Sequence, residues 1–122
     1  MAFVMLAASV PLAASARPAD VNAQAFYETS LELQAKGMRA MLDTRTRPTL
    51  AQMKDAGAYA RAANAAASAK GSALYCVPAA ERKKGLDAKA ALAMLGRVPE
   101  SQRRASSLGA AWLTALRQTY RC

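Results

Sequence analysis

The sequence predicts an all-α fold, a small bundle of about four helices stapled by one disulfide between Cys76 and Cys122. Three observations carry this. Apolar side chains recur at intervals of three and four in several stretches, which places them on one face of a helix. The chain has no Ile and, beyond residue 16, only Val21, Val77 and Val98, so the alternating β-branched runs that strands favour are missing. Cys76 and Cys122 are the only two cysteines, one in mid-chain and one on the last residue.

The N-terminus sets the compartment and so the chemistry of those cysteines. Residues 1–16, MAFVMLAASVPLAASA, carry no charged side chain and close on Ala14-Ser15-Ala16, a small-residue pattern of the kind signal peptidase cuts. A membrane span needs about 20 apolar residues, so this stretch is expected to be a signal peptide, with a buried N-terminal helix as the alternative. Residues 17–122 then form a single domain with one modest core. An exported chain folds under oxidising conditions, where two thiols pair rather than stay reactive. The bond closes a loop of roughly 46 residues, worth on the order of 4 kcal/mol in the chain-entropy model.

Four helices follow in order. The first, Asp20 to Leu42, has Asp20 or Asn22 as its cap and Phe26, Leu33, Met38, Met41 and Leu42 as its apolar stripe, with Gly37 weakening it. A polar linker follows, with Pro48 fixing its direction and Thr49 placed to cap the second helix, LAQMKDAGAYARAANAAASAK. The alanines of that helix let a neighbour approach closely, and Gly71 stops it. Residues 72–85 read as a connector, with Pro78 holding Val77 extended and the cluster Glu81 to Gly85 in solvent. Asp87 starts a short helix that ends near Gly96, and Pro99 makes the turn. The last helix, Gln102 to about Tyr120, lines up Leu108, Ala111, Trp112, Ala115, Leu116 and Tyr120 as one buried face.

The composition excludes several functions. There is no His, so neither cysteine has a base that would make it a nucleophile, and no Cys-x-x-Cys spacing suggests a redox or zinc motif. No carboxylate pair lies in an apolar setting and no glycine loop cradles a phosphate, so no enzyme, cofactor or metal ligand set is expected. The net charge of +9 falls entirely beyond residue 16 and favours anionic partners, unless it only solvates the surface. Nucleic acid is disfavoured by the export signal and by the scarcity of aromatic residues for base stacking.

The C-terminal half carries a further pattern. LYCVP supplies Tyr75, Cys76 and Pro78; a helix with Leu92 and Leu95 follows; RVPES supplies Pro99; the last helix has Ala115 and Leu116; and the chain closes on Tyr120 and Cys122. Upstream, AGAYARAANAA places Tyr59 after a glycine on the second helix. This arrangement, over residues 22–122 and strongest after Leu74, resembles the Rap/Tai family of type VI secretion immunity proteins. Two features depart from the family pattern. Ala56 stands where members often have a second cysteine, whose partner near residues 41–47 is also absent, and Arg121 replaces a proline before the final cysteine.

The resemblance implies a periplasmic protein, commonly a homodimer, that binds a secreted peptidoglycan amidase effector and occludes its cleft. Such inhibition requires no chemistry from the inhibitor. The segments Glu81 to Gly85 and Arg97 to Arg104 are then the expected contact loops, with Lys83, Lys84, Arg103 and Arg104 as partner-binding side chains. The alternative is a basic envelope protein that binds anionic lipid or cell-wall polymer, or a disulfide-stapled periplasmic chaperone.

Overall fold

Six α-helices and two 3-10 turns make up residues 16–122, the part of the chain that the structure, a computed structural model, describes. The expected signal peptide, except for Ala16, lies outside the described residues. No strand forms among them, as the shortage of β-branched residues predicts. The helix count is six rather than about four, and each added helix has a local cause.

Helix α1 spans Ala23–Lys36, with the Asn22 carbonyl oxygen Oδ1 accepting the N–H groups of Gln24 and Ala25 at 3.0 and 3.1 Å. It does not continue to Leu42. Gly37 takes a φ of 58°, open to a residue without Cβ, and Gly37–Leu42 tightens into a 3-10 turn. Helix α2, Thr46–Ala69, begins before the predicted cap: Pro48 sits in its first turn, where a missing N–H costs nothing, and the Thr49 hydroxyl bonds back to the Arg45 carbonyl at 2.7 Å.

The predicted connector contains helix α3, Ala79–Lys84. Pro78 precedes it, Glu81 lies in its first turn and Arg82, Lys83 and Lys84 in its last, an order that complements the helix dipole. Helix α4, Ala88–Gly96, is capped by the Asp87 carboxylate, which accepts the Ala90 N–H at 2.7 Å.

The predicted last helix is two, α5 (Glu100–Ala105) and α6 (Leu108–Thr119). Extended Ser106 breaks it, and the Ser107 hydroxyl caps α6 by accepting the Ala110 N–H at 3.2 Å. The break also feeds a backbone clip. Ala23 N–H donates to Ser106 O at 3.0 Å and Leu108 N–H to Val21 O at 2.7 Å, tying the N-terminal segment to the head of α6.

The core forms where α2 lies against α6. Ala56 and Ala60 present no bulk, so the helices come close enough to bury Leu108, Ala111, Trp112, Ala115 and Leu116, the face predicted for α6. Tyr59 lies beside Gly109, whose missing Cβ would stand 3.1 Å from the Tyr59 ring. Phe26 from α1 and Met94 and Leu95 from α4 close the core. The 3-10 turn Pro18–Asp20 is held on α2 by Asp55, which accepts from the Ala19 N–H at 2.9 Å and the Arg17 guanidinium at 2.7 Å.

Candidate functional site

The disulfide joins Cys76 to Cys122 with their Cα atoms 4.9 Å apart. Backbone pairing runs beside it: Cys76 N–H donates to Tyr120 O at 2.8 Å. Asn64, on α2, completes the anchorage. Its Oδ1 accepts from Leu74 N–H at 2.8 Å and Tyr75 N–H at 3.2 Å, and its Nδ2 donates to Tyr75 O at 3.1 Å. Tyr75 is buried, which pushes its phenol pKa up, and Tyr120 is half-buried against the core. Of the residues that carry the sequence resemblance, Leu116 is core, Tyr75 and Tyr120 fix the connector, Tyr59 lies beside Gly109 of α6, and Pro78 and Pro99 precede α3 and α5. The role of Asn64 was hidden in the sequence, where it is one polar residue in an alanine run.

This anchorage carries α3 outward. Pro78 to Lys89 form an unbroken exposed run, with Lys83 and Lys84 in solvent. Arg104 is also exposed, paired with Glu100 one helical turn earlier at 2.9 Å.

Arg103 must be removed from the contact set. It is only 7% exposed, and its guanidinium is spent inside the chain. Nε donates to Gln24 Oε1 at 2.7 Å, Nη1 donates to Gly96 O at 3.1 Å and to Val98 O, and the guanidinium carbon lies 4.4 Å from the centre of the Tyr27 ring. These carbonyls lie at the C-terminal end of α4, where a helix end favours positive charge. A Cβ on Gly96 would meet the Tyr27 hydroxyl at 2.7 Å, so the glycine makes room for the ring that Arg103 covers.

A second surface replaces it. In the turn from Gly37 to Leu42, Met38, Met41 and Leu42 are 86, 79 and 90% exposed, although the sequence places them on an apolar helix stripe. The helix ends at Lys36, so they project outward on the turn. Ion pairs at its base hold it: Lys36 reaches Asp43 at 2.7 Å, and Arg45 reaches Asp43 at 3.1 Å and Glu32 at 2.6 Å. The Asp43 carboxyl is accordingly pulled well below the ordinary range, first by the Arg45 side chain and then by Lys36. Asp55 is lowered in the same sense by Arg17 and the Ala19 N–H.

These two carboxylates imply a pH dependence. A folded-state pKa depressed below the unfolded value of about 3.9 adds stability that is present above that value and is lost as pH falls through the folded one. The urea midpoint is therefore expected to hold between about pH 7 and about pH 5, then to fall below about pH 4. Asp43→Asn should flatten the acid limb, and a wild-type midpoint that falls between about pH 7 and pH 5 would contradict this assignment.

Among the described residues no group of three or more His, Cys, Asp or Glu could hold a metal ion, and no helix is long and apolar enough to cross a membrane. The arrangement is one of surfaces on a braced scaffold: an apolar turn held by ion pairs and a cationic helix held by a disulfide. Comparison of the chain with family models, curated proteins and solved structures finds no match.

Proposed function

We propose that this chain is a periplasmic binding protein of the immunity kind, which caps a secreted peptidoglycan amidase and blocks its cleft. The observation that carries the proposal is the Gly37–Leu42 turn. Three large apolar side chains stand almost fully in water on a backbone that ion pairs restrain, and such exposure marks a surface awaiting a partner. A braced turn loses little conformational freedom on binding, and Met and Leu adapt to the walls of a cleft. The disulfide suits an oxidising compartment, and the motif around Tyr75, Cys76, Pro78 and Tyr120 supplies the family resemblance. Lys83, Lys84 and Arg104 add positive charge that would speed encounter with an anionic rim. Pairing of two copies, which the resemblance also implies, belongs to the same proposal.

The test uses charge on both surfaces. Met38→Asp with Leu42→Asp is expected to weaken binding of the cognate amidase by about a hundredfold, the loss typical of apolar hot spots. Lys83→Glu with Lys84→Glu should weaken it about tenfold, mainly through a slower on-rate. All four positions are exposed, so circular dichroism should show an unchanged fold. If both double variants bind as wild type, the surface assignment is wrong.

A further inference from the structure

A cavity of about 340 Å³ opens between α1, the Gly37–Leu42 turn, the first turns of α2 and α4. Phe26, Leu33, Leu50, Met53, Leu92 and Leu95 form its apolar walls. Small-molecule sites run from about 300 to 1,000 Å³, so this one suits a slender ligand.

The few polar groups of the wall are unequal. The hydroxyls of Thr46 and Thr49 are already bonded, to the carbonyls of Ala40 and Arg45. That of Ser30 is not. Its Oγ is the one buried side-chain polar atom among the described residues with no partner in the protein, a condition that native folds rarely leave standing. The wall thus keeps one buried free donor, Ser30, and the exposed Gln34 amide also lines it.

The lining itself holds no charged side chain, but helical spacing sets three cations beside the mouth. Leu50 stands on the lip, 61% exposed, and Arg47 and Lys54, three residues before it and four after, share its face of α2. On α4, Lys89 stands three residues before Leu92. All three cations are exposed, and none forms a salt bridge among the described residues. A second copy of the chain would bring these cations against its own, so like charge disfavours self-covering at this site.

We propose that this cavity binds an amphiphile with one alkyl chain and an anionic head, of the fatty-acid type. The chain leaves water against Phe26, Leu33, Leu92 and Leu95, while the head stays at the lip beside Arg47, Lys54 and Lys89. The site shares no side chain with the Met38, Met41 and Leu42 surface, so the two proposals stand or fall separately.

The experiment is calorimetric titration of the oxidised protein with dodecanoate below its micellar concentration, alongside dodecanol. One equivalent of dodecanoate is expected to bind, at least tenfold more tightly than dodecanol. Leu50→Glu, which places a carboxylate on the lip, and Ala88→Trp, which fills the mouth from an exposed position on α4, should each weaken it at least tenfold. Lys83→Glu with Lys84→Glu, on α3, should leave it unchanged. No heat of binding in the wild type would overturn the proposal. So would several equivalents bound irrespective of Leu50→Glu, equal affinity for dodecanol, or a dimer in sedimentation that Leu50→Glu dissolves.

Discussion

Cys76→Ser with Cys122→Ser is expected to lower the stability of the folded chain by about 4 kcal/mol, the largest effect of any change outside the apolar core. The bridge spans 46 residues, from the first part of the connector to the last residue, and so removes a large loop-closure entropy from the unfolded chain. Little else holds residues 72–89. Their ties are Ser72 N–H to Ala67 O, Asn64 to Leu74 and Tyr75, Cys76 to Tyr120, and the packing of Leu74, Tyr75 and Val77 on the core; α3 beyond them is in solvent. Loss of the bond should therefore free the connector first, with amide exchange rising at Leu74 to Lys84 before the α2 and α6 core opens. Urea titrations of oxidised and serine-substituted protein measure the difference. A loss under about 1 kcal/mol would mean that the unfolded chain is already compact across this loop.

Arg103→Ala is expected to cost about 3 kcal/mol, although a surface arginine at the end of a short helix would cost almost nothing. The loss has three parts. Gly96 O and Val98 O lose a charged donor at the end of α4, Gln24 Oε1 loses its bond, and Tyr27 loses the cation above its ring. Gln24 keeps weaker contacts through Nε2, at 3.1 Å to Glu28 and 3.4 Å to Glu100, which do not replace it. Arg103→Lys should recover less than half of the loss, because an ammonium cannot reproduce the planar fork that reaches Gln24 and the carbonyls together. Arg104→Ala, one position on, gives up only an exposed pair with Glu100 and should change stability by less than about 0.5 kcal/mol. Thermal melts of the three variants separate these expectations. Equal effects of Arg103→Ala and Arg104→Ala would contradict the buried role of Arg103.

The contrast between Arg103 and Arg104 shows where sequence pattern stops informing. Adjacent arginines after a turn read as solvent-facing, and nothing local distinguishes them. What buries Arg103 is Gln24, 79 residues earlier, together with a glycine that admits Tyr27. The face of α6 was legible because its period of three and four continues from Leu108 to Leu116, and every position on it is buried. That periodicity begins only at Leu108 and is silent on Gln102 to Ser107, so the join between α5 and α6 is not legible in it. Serines cap as readily as they continue, and the backbone clip to Val21 and Ala23 decides between the two. The Met38, Met41 and Leu42 surface is not legible in the sequence, because an apolar residue after a glycine counts toward a helix stripe only if the helix continues. Gly37 at a φ of 58° ends it.

The central claim is that the chain acts by covering another protein. Its most direct measurement mixes the oxidised protein, residues 17–122, with the exported peptidoglycan amidase encoded nearest to it and follows peptidoglycan digestion at low salt and at about 1 M salt, where the Debye length is only about 3 Å. Inhibition at one-to-one stoichiometry that survives high salt, and that fails with Met38→Asp and Leu42→Asp, is the expected result. Undiminished digestion at low salt, or inhibition that disappears as salt rises, would contradict the claim and leave the positive surface to act on anionic polymers of the envelope instead.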